Sequence, residues 1–180
     1  VFGGVVRPHK GVEVFAEALA RLGRPDCALV ILGPLNEHVQ ELMRHPVYGQ
    51  FIQCPAVDAE TTQRIHREMP LFLGLGDALI VPLADTLLAR SQMPCKVFEA
   101  MAMGKPIIAS SVSDLPEVLA GCGKLIAPER ADQAAEALAE VFDHPEASRQ
   151  MGACARARCM EAYSAEASRR RLLELLEQLR

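Results

Sequence analysis

The sequence predicts an α/β fold: a Rossmann-like parallel sheet with helices on both faces, and extra helices at the carboxyl end. Three observations carry this expectation. Short unbroken apolar runs, such as Cys27-Ala28-Leu29-Val30-Ile31-Leu32 and Ala78-Leu79-Ile80-Val81, end at Gly33-Pro34 and at Pro82. That is how a strand buried on both faces reads. These runs alternate about six times with segments of helical periodicity, the pattern of a parallel sheet covered by its crossover helices. Half of the 180 residues (50%) are hydrophobic, enough to cover such a sheet in a chain of one domain's length.

The elements follow in order. Residues 1–6 are a short apolar strand, and Arg7, Pro8 and His9 turn the chain. A helix begins at Lys10 or Gly11, with Val12, Phe15, Leu19 and Leu22 on one face. Residues 27–33 form the second strand and 36–44 a polar helix. Residues 50–56 are a strand, and Asp58 caps a helix through residue 68. Residues 77–83 form a strand stopped by proline, and a long loop reaches Pro94. Residues 96–103 are helical and end at Gly104, a residue suited to the left-handed C-cap. Strands at 106–110 and 124–127 flank a short helix at 115–119. Three helices complete the chain. The first is marked by Ala134, Leu138, Val141 and Phe142. The second covers 146–161, and the third carries Leu172, Leu176 and Leu179.

Composition excludes several classes. A net charge of −4, with no concentrated Lys and Arg, gives no nucleic-acid footprint. Arg169, Arg170 and Arg171 lie among glutamates, as on a solvated helix face. Aromatic residues are 4% and Trp is absent, which argues against a groove that stacks sugars on rings. The six cysteines form no Cys-x-x-Cys pair and no zinc spacing, and several sit in apolar runs. They read as free thiols in a reducing cytoplasm. No signal peptide or membrane-length apolar run is present. The chain opens directly on a strand without Met, which predicts that residues 1–180 are one domain excised from a longer protein.

In an open parallel sheet, ligands bind beyond the carboxyl ends of the strands, and three loops there stand out. The first runs from Gly3-Gly4 to Gly11. The glycines let the backbone approach a ligand, and Arg7 and Lys10 suit a diphosphate, Arg as a fork and Lys as a point charge. The plainer reading is a solvated turn, with His9 an ordinary surface histidine. The second loop, from Arg90 to Glu99, leads into a helix whose amino end attracts phosphate. Glu99, between apolar Phe98 and Ala100, is expected to be partly buried. It could accept from ribose hydroxyls or pair with Lys96. The third is Ser110-Ser111-Val112-Ser113-Asp114, where capping of the next helix is the first expectation. No histidine pair has metal spacing, and the phosphate loop, the nucleophile elbow and the Gly-x-Gly-x-x-Gly fingerprint are all missing.

The run Glu99-Ala100-Met101-Ala102-Met103-Gly104-Lys105-Pro106-Ile107-Ile108-Ala109-Ser110 closely resembles the signature of retaining GT-B glycosyltransferases of family four. Leu115-Pro116-Glu117-Val118 and Gly123-Lys124-Leu125-Ile126-Ala127-Pro128 follow at that family's spacing. Upstream, Lys10-Gly11 and Asp77-Ala78-Leu79-Ile80-Val81-Pro82 match its first loop and a later strand. Asp143, Pro145, Arg149, Met151 and Gly152 resemble its segment near the carboxyl end. The resemblance spans essentially the whole chain. It implies the carboxyl-terminal, donor-binding half of a two-domain enzyme, with a nucleoside-diphosphate sugar such as a UDP-, GDP- or ADP-sugar as substrate. No cofactor and no metal are implied. The other partner is the amino-terminal acceptor domain of the same polypeptide, and contact with a membrane surface through that parent enzyme stays open.

The resemblance also implies roles. Arg7, Lys10 and Glu99 take the catalytic places: Arg7 and Lys10 on the diphosphate, Glu99 on the ribose. Gly3, Gly4, His9, Val57, Ser91, Met93, Cys95, Lys96 and Val97 join Glu99 in donor binding. In this group backbone amides at 93, 95 and 96 meet phosphate, and the segment 54–57 flanks the base. Two positions depart from the pattern. Gly4 stands where many members carry Arg. Ser91 stands where the family has its first glutamate, and a hydroxyl can hydrogen-bond a sugar but carries no charge.

The expected activity is therefore glycosyl transfer by the full-length parent, with the isolated chain inactive. A non-catalytic nucleotide or sugar-phosphate binding module is the alternative that Ser91 favours. A nucleotide-sugar epimerase of the same architecture is another. A phosphorylase lacks its pyridoxal-lysine motif here, and a hydride-transferring enzyme lacks its glycine fingerprint.

Overall fold

In the computed structural model, which describes residues 1–56 and 58–179, six parallel strands carry the fold. β1 (Phe2–Gly3) pairs with β2 (Leu29–Leu32), and β2 with β3 (Ile52–Gln53). β4 (Leu79–Val81) pairs with β5 (Ile107–Ser110), and β5 with β6 (Lys124–Ile126). These two three-stranded sheets meet where the Val1 nitrogen donates to the Ala78 carbonyl at 2.7 Å and the Ile80 amide donates to the Val1 carbonyl at 2.9 Å. The order across the molecule is therefore β3-β2-β1-β4-β5-β6, and the direction of winding reverses between β1 and β4. That reversal opens a crevice at their carboxyl ends.

The strands are apolar on both faces because both faces are covered. Ile107, Ile108 and Ala109 of β5 are each 0% exposed, and every residue of β4 is buried. Among the helices, α1 (Val12–Leu22) packs against α8 (Ala131–Asp143). α6 (Cys95–Ala102) lies on β4 and β5 and packs against α9 (Pro145–Arg158). The cap expected of Asp58 is formed: it accepts from Thr61 N at 2.7 Å at the start of α3 (Ala59–Arg67). Asn36, read as the first residue of a helix, instead caps α2 (Glu37–Arg44) and accepts from Val39 N at 2.9 Å. Gly104, at φ +64°, closes α6 as expected.

Several expectations are corrected. Asp114 stands at the start of α7 (Leu115–Val118), but its side chain makes no capping bond. Pro116 removes one of the amides that a cap would satisfy, and Asp114 holds the chain through its carbonyl to Val118 N at 2.9 Å. The strands at 1–6 and 50–56 shrink to two residues each. Gly4, at φ +126°, turns the chain out of β1, and residues 49–51 coil into a 3-10 turn. Two helices were not expected: α4 (Met69–Leu75), with Pro70 in its tolerant first turn, and α5 (Leu87–Arg90), a single turn capped by Thr86. The helix expected over 146–161 ends earlier, in a π turn at Cys159–Tyr163.

The cysteines are not all free: Cys122 and Cys154, Cα atoms 5.4 Å apart, form a disulfide that ties the turn before β6 to α9. Cys27, Cys54, Cys95 and Cys159 are free. The terminal helix α10 (Ala165–Gln178) buries only Ala167 and leaves Leu172, Leu173, Leu175 and Leu176 exposed. Among the described residues no helix is long and apolar enough to cross a membrane.

Candidate functional site

The loop after β1 is built to approach a ligand. Gly33, at the end of β2, sits so close to the Gly4 carbonyl that a Cβ there would collide with it. Asn36 Nδ2 donates to the Val6 carbonyl at 2.9 Å and fastens the loop to α2. Residues Pro8–Lys10 then form one 3-10 turn, in which Lys10 N donates to Arg7 O at 2.8 Å. Ala84 N donates to His9 O at 3.1 Å and ties the turn to the loop after β4. Ser110, buried at the end of β5, accepts from Leu83 N at 3.0 Å and fixes the β4 loop from its other side.

Between these loops lies a cleft of about 310 Å³ at the carboxyl ends of β1 and β4. Gly3, Gly4, Arg7, His9, Lys10, Cys95 and Lys96 line it, all expected from sequence, together with Gln92 and Pro94, which were not. A larger apolar cavity of about 460 Å³, bordered by Phe15, Leu29, Asp77 and Ala78, lies at the opposite ends of β2 and β4. Ligands of open parallel sheets take the carboxyl end, so the smaller cleft is the candidate.

The cleft is cationic. Burial, then the Arg7 charge, lowers the Lys10 pKa from its ordinary 10.5. Burial, then Lys10 and Arg7, lowers that of His9 from its ordinary 6.5, which disfavours the imidazolium. Lys10 Nζ donates to Gln92 Oε1 at 3.0 Å. Lys96, in the first turn of α6, donates to both carboxylate oxygens of Glu99 at 3.0 and 2.9 Å. α6 has no side-chain cap, Val97 N donates to the Pro94 carbonyl at 3.1 Å, and the first two residues of the helix, Cys95 and Lys96, line the cleft. Among the described residues that line the cleft, none is acidic.

The other sequence candidates stand apart. Glu99 is partly buried, as expected, is not among the lining residues of the cleft, and is bound to Lys96; the ion pair is the alternative that the geometry displays. Ser91 is exposed, and its Oγ donates to the Leu88 carbonyl at 2.9 Å, closing α5. Val97 lies on the buried side of α6, and Met93 packs partly buried against the core. Val57 lies outside the described residues. Gln92 escaped notice because nothing in its neighbours pairs it with a lysine 82 positions away.

An open parallel sheet whose glycine-rich turn and cationic crevice meet at the switch point defines a class of nucleotide-binding folds. The comparisons narrow it. The sequence pattern of the glycosyl transferases group 1 matches residues 1–144, and the chain belongs to that family. It is 24% identical over 157 residues to an alpha-D-kanosaminyltransferase of Streptomyces kanamyceticus, covering 84% of this chain and 38% of that protein. The fold matches Anabaena HepE in complex with UDP-glucose at a TM-score of 0.74 and 17% identity, over 98% of this chain and 48% of that one. It also matches the C-terminal domain of the group 1 glycosyl transferase LpcC from Francisella tularensis at 0.71 and 18% identity, over 91% and 86%. The chain thus spans under half of the kanosaminyltransferase but most of the isolated LpcC domain. Its fold is that of a GT-B glycosyltransferase domain.

Proposed function

We propose that residues 1–180 are the donor domain of a glycosyltransferase and bind a nucleoside-diphosphate sugar whose glycosyl group passes to an acceptor held by a second domain. The observation that carries this reading is the convergence of Arg7, Lys10, Lys96 and the open start of α6 on one glycine-floored cleft that contains no acid among its described lining residues. HepE, of the same fold, binds UDP-glucose.

In the reaction, Arg7, Lys10 and Lys96 would bind the diphosphate and stabilise the negative charge that develops as it departs. A cluster of fixed cations does this without a metal. Glu99 would accept from the ribose hydroxyls, which requires Lys96 to move from the carboxylate toward phosphate. Transfer is with retention of configuration, in a cytoplasmic parent enzyme with no cofactor, and the isolated chain binds without transferring.

Calorimetric titration with UDP, GDP, ADP and their sugar conjugates tests the reading. One nucleotide should bind, and EDTA should leave that binding unchanged. Lys10→Ala should weaken it roughly ten- to a hundredfold, the range of a hydrogen bond to a charged group, and Glu99→Gln roughly tenfold. Equal affinity in all three proteins would refute the site.

A second reading is favoured by Ser91, whose hydroxyl closes α5 and offers the cleft no charge. A parent enzyme that binds nucleotide sugar but turns over neither sugar nor water would establish a non-catalytic binding module.

A further inference from the structure

Four cations stand in or beside the cleft, and they are not held alike. Arg90 is locked to Asp85 by two bonds of 2.6 and 2.9 Å, and Lys96 is bonded to both oxygens of Glu99. Each of these charges is already matched by a carboxylate. Arg7 is exposed at the rim. Lys10 alone is drawn into the cleft by an uncharged partner, the carboxamide oxygen of Gln92 at 3.0 Å. The loop Ser91-Gln92-Met93-Pro94 that presents this amide contains no charged residue.

Gln92 itself is held. Its backbone N–H donates to the Ala89 carbonyl at 3.2 Å, and Ala89 N donates to the Thr86 hydroxyl at 3.1 Å. The Arg90–Asp85 pair braces the same turn. Only the oxygen of the carboxamide can face an ammonium, because both groups donate through nitrogen.

We propose that Gln92 is a positioning residue for the diphosphate site, a neutral clamp that orients the Lys10 ammonium across the cleft without neutralising it. A free lysine side chain has many rotamers to lose on binding, and a prior hydrogen bond restricts them before the ligand arrives. A carboxylate in the place of the amide would orient Lys10 equally well but would compete with the anion. The crowding of Lys10 by Arg7 fits this arrangement, since an uncompensated ammonium beside a guanidinium is relieved by an arriving diphosphate. The inference rests on the donor-binding reading above.

The test is titration of the 180-residue chain with inorganic pyrophosphate and with UDP, using Lys10→Ala, Gln92→Met, Gln92→Glu and the double variant Lys10→Ala/Gln92→Met. Gln92→Met keeps the side chain's length and removes its acceptor; near-ultraviolet circular dichroism checks the fold. Gln92→Met should weaken both probes about five- to tenfold, and should change nothing further once Lys10 is alanine. Gln92→Glu should weaken them more at pH 7 and recover toward the unsubstituted chain at the same pH only as pH falls below the ordinary glutamate range, because the Lys10 ammonium holds the introduced carboxyl ionised to lower pH. Gln92→Met shows no such recovery.

Unchanged affinity in both Gln92 variants overturns the clamp while leaving the site standing. Effects that simply add to that of Lys10→Ala also overturn it, because Gln92 would then act without Lys10. Failure of the unsubstituted chain to bind either probe, with Lys10→Ala no different, sinks the donor reading and the clamp together.

Discussion

Lys10 carries the site's behaviour at the level of single residues. Burial and Arg7 both work against its charge, so it gives up its proton at a lower pH than an ordinary lysine. Only the ammonium form attracts a diphosphate. Affinity therefore falls as pH rises through this lowered value, and is fully present below it. Lys10→Arg replaces the titrating group with one charged throughout. As pH rises toward the ordinary lysine range, the variant should keep its affinity for UDP while the unsubstituted chain loses it. Parallel decline in the two proteins would assign the loss to another group. Of the residues that make the cleft, Arg7 and Lys10 were legible because cations and glycines cluster at a strand-to-helix turn, with His9 between them, and Cys95 and Lys96 through the helix amino end and the family resemblance. Gln92 was not, since a polar loop residue has no periodicity to mark it. Ser91 was visible as a departure, but that its hydroxyl closes α5 is decided by the turn it sits in.

Among the elements, the strands β2, β4 and β5 were readable as unbroken apolar runs because both faces are buried, and burial on both faces removes the alternation that marks an exposed sheet. α4 and α5 were missed for different reasons. α4 is a seven-residue apolar run containing Pro and Gly, and it becomes a helix where Leu73 and Met69 press against Gly3. α5 is one turn, too short for a period to show. The close approach of Gly33 to Gly4 joins two elements at the cleft's floor. Gly33→Ala must push the β1 loop outward, at a cost on the order of 2–4 kcal/mol. Its melting temperature should fall by roughly 6–12 °C, with nucleotide affinity reduced as well. A variant as stable as the unsubstituted chain would show that the loop yields freely.

At the scale of the whole molecule, two features of the described residues lie outside the cleft. The leucines of α10 stay exposed along a helix that buries one alanine. The Cys122–Cys154 bond closes a loop with a sequence separation of 32, which on a chain-entropy basis stabilises the fold by about 3–4 kcal/mol. Thiol titration of the denatured, unreduced protein should count four free thiols, and six only after reduction. Six without reductant would mean that the two cysteines merely adjoin, as the reading from composition had it. Reduction should also lower the unfolding midpoint without changing nucleotide affinity, since the bond lies on α9 and the turn before β6, away from the cleft.

The sequence by itself determined the class of fold, the family, and the placing of a cationic, glycine-lined turn at the end of the first strand. Those are properties of short segments: apolar runs, helical periods and a signature of twelve consecutive residues from Glu99 to Ser110. Tertiary structure alone decided which distant side chains meet. Lys10 meets Gln92, 82 positions away, and Cys122 finds Cys154, whereas the Lys96–Glu99 and Arg90–Asp85 pairs close within a turn or so of chain. The reason is physical. Hydrophobic burial repeats along the chain with the geometry of its elements and can be read there, whereas a hydrogen bond or a disulfide depends on a few ångströms between segments that only the packed sheet brings together.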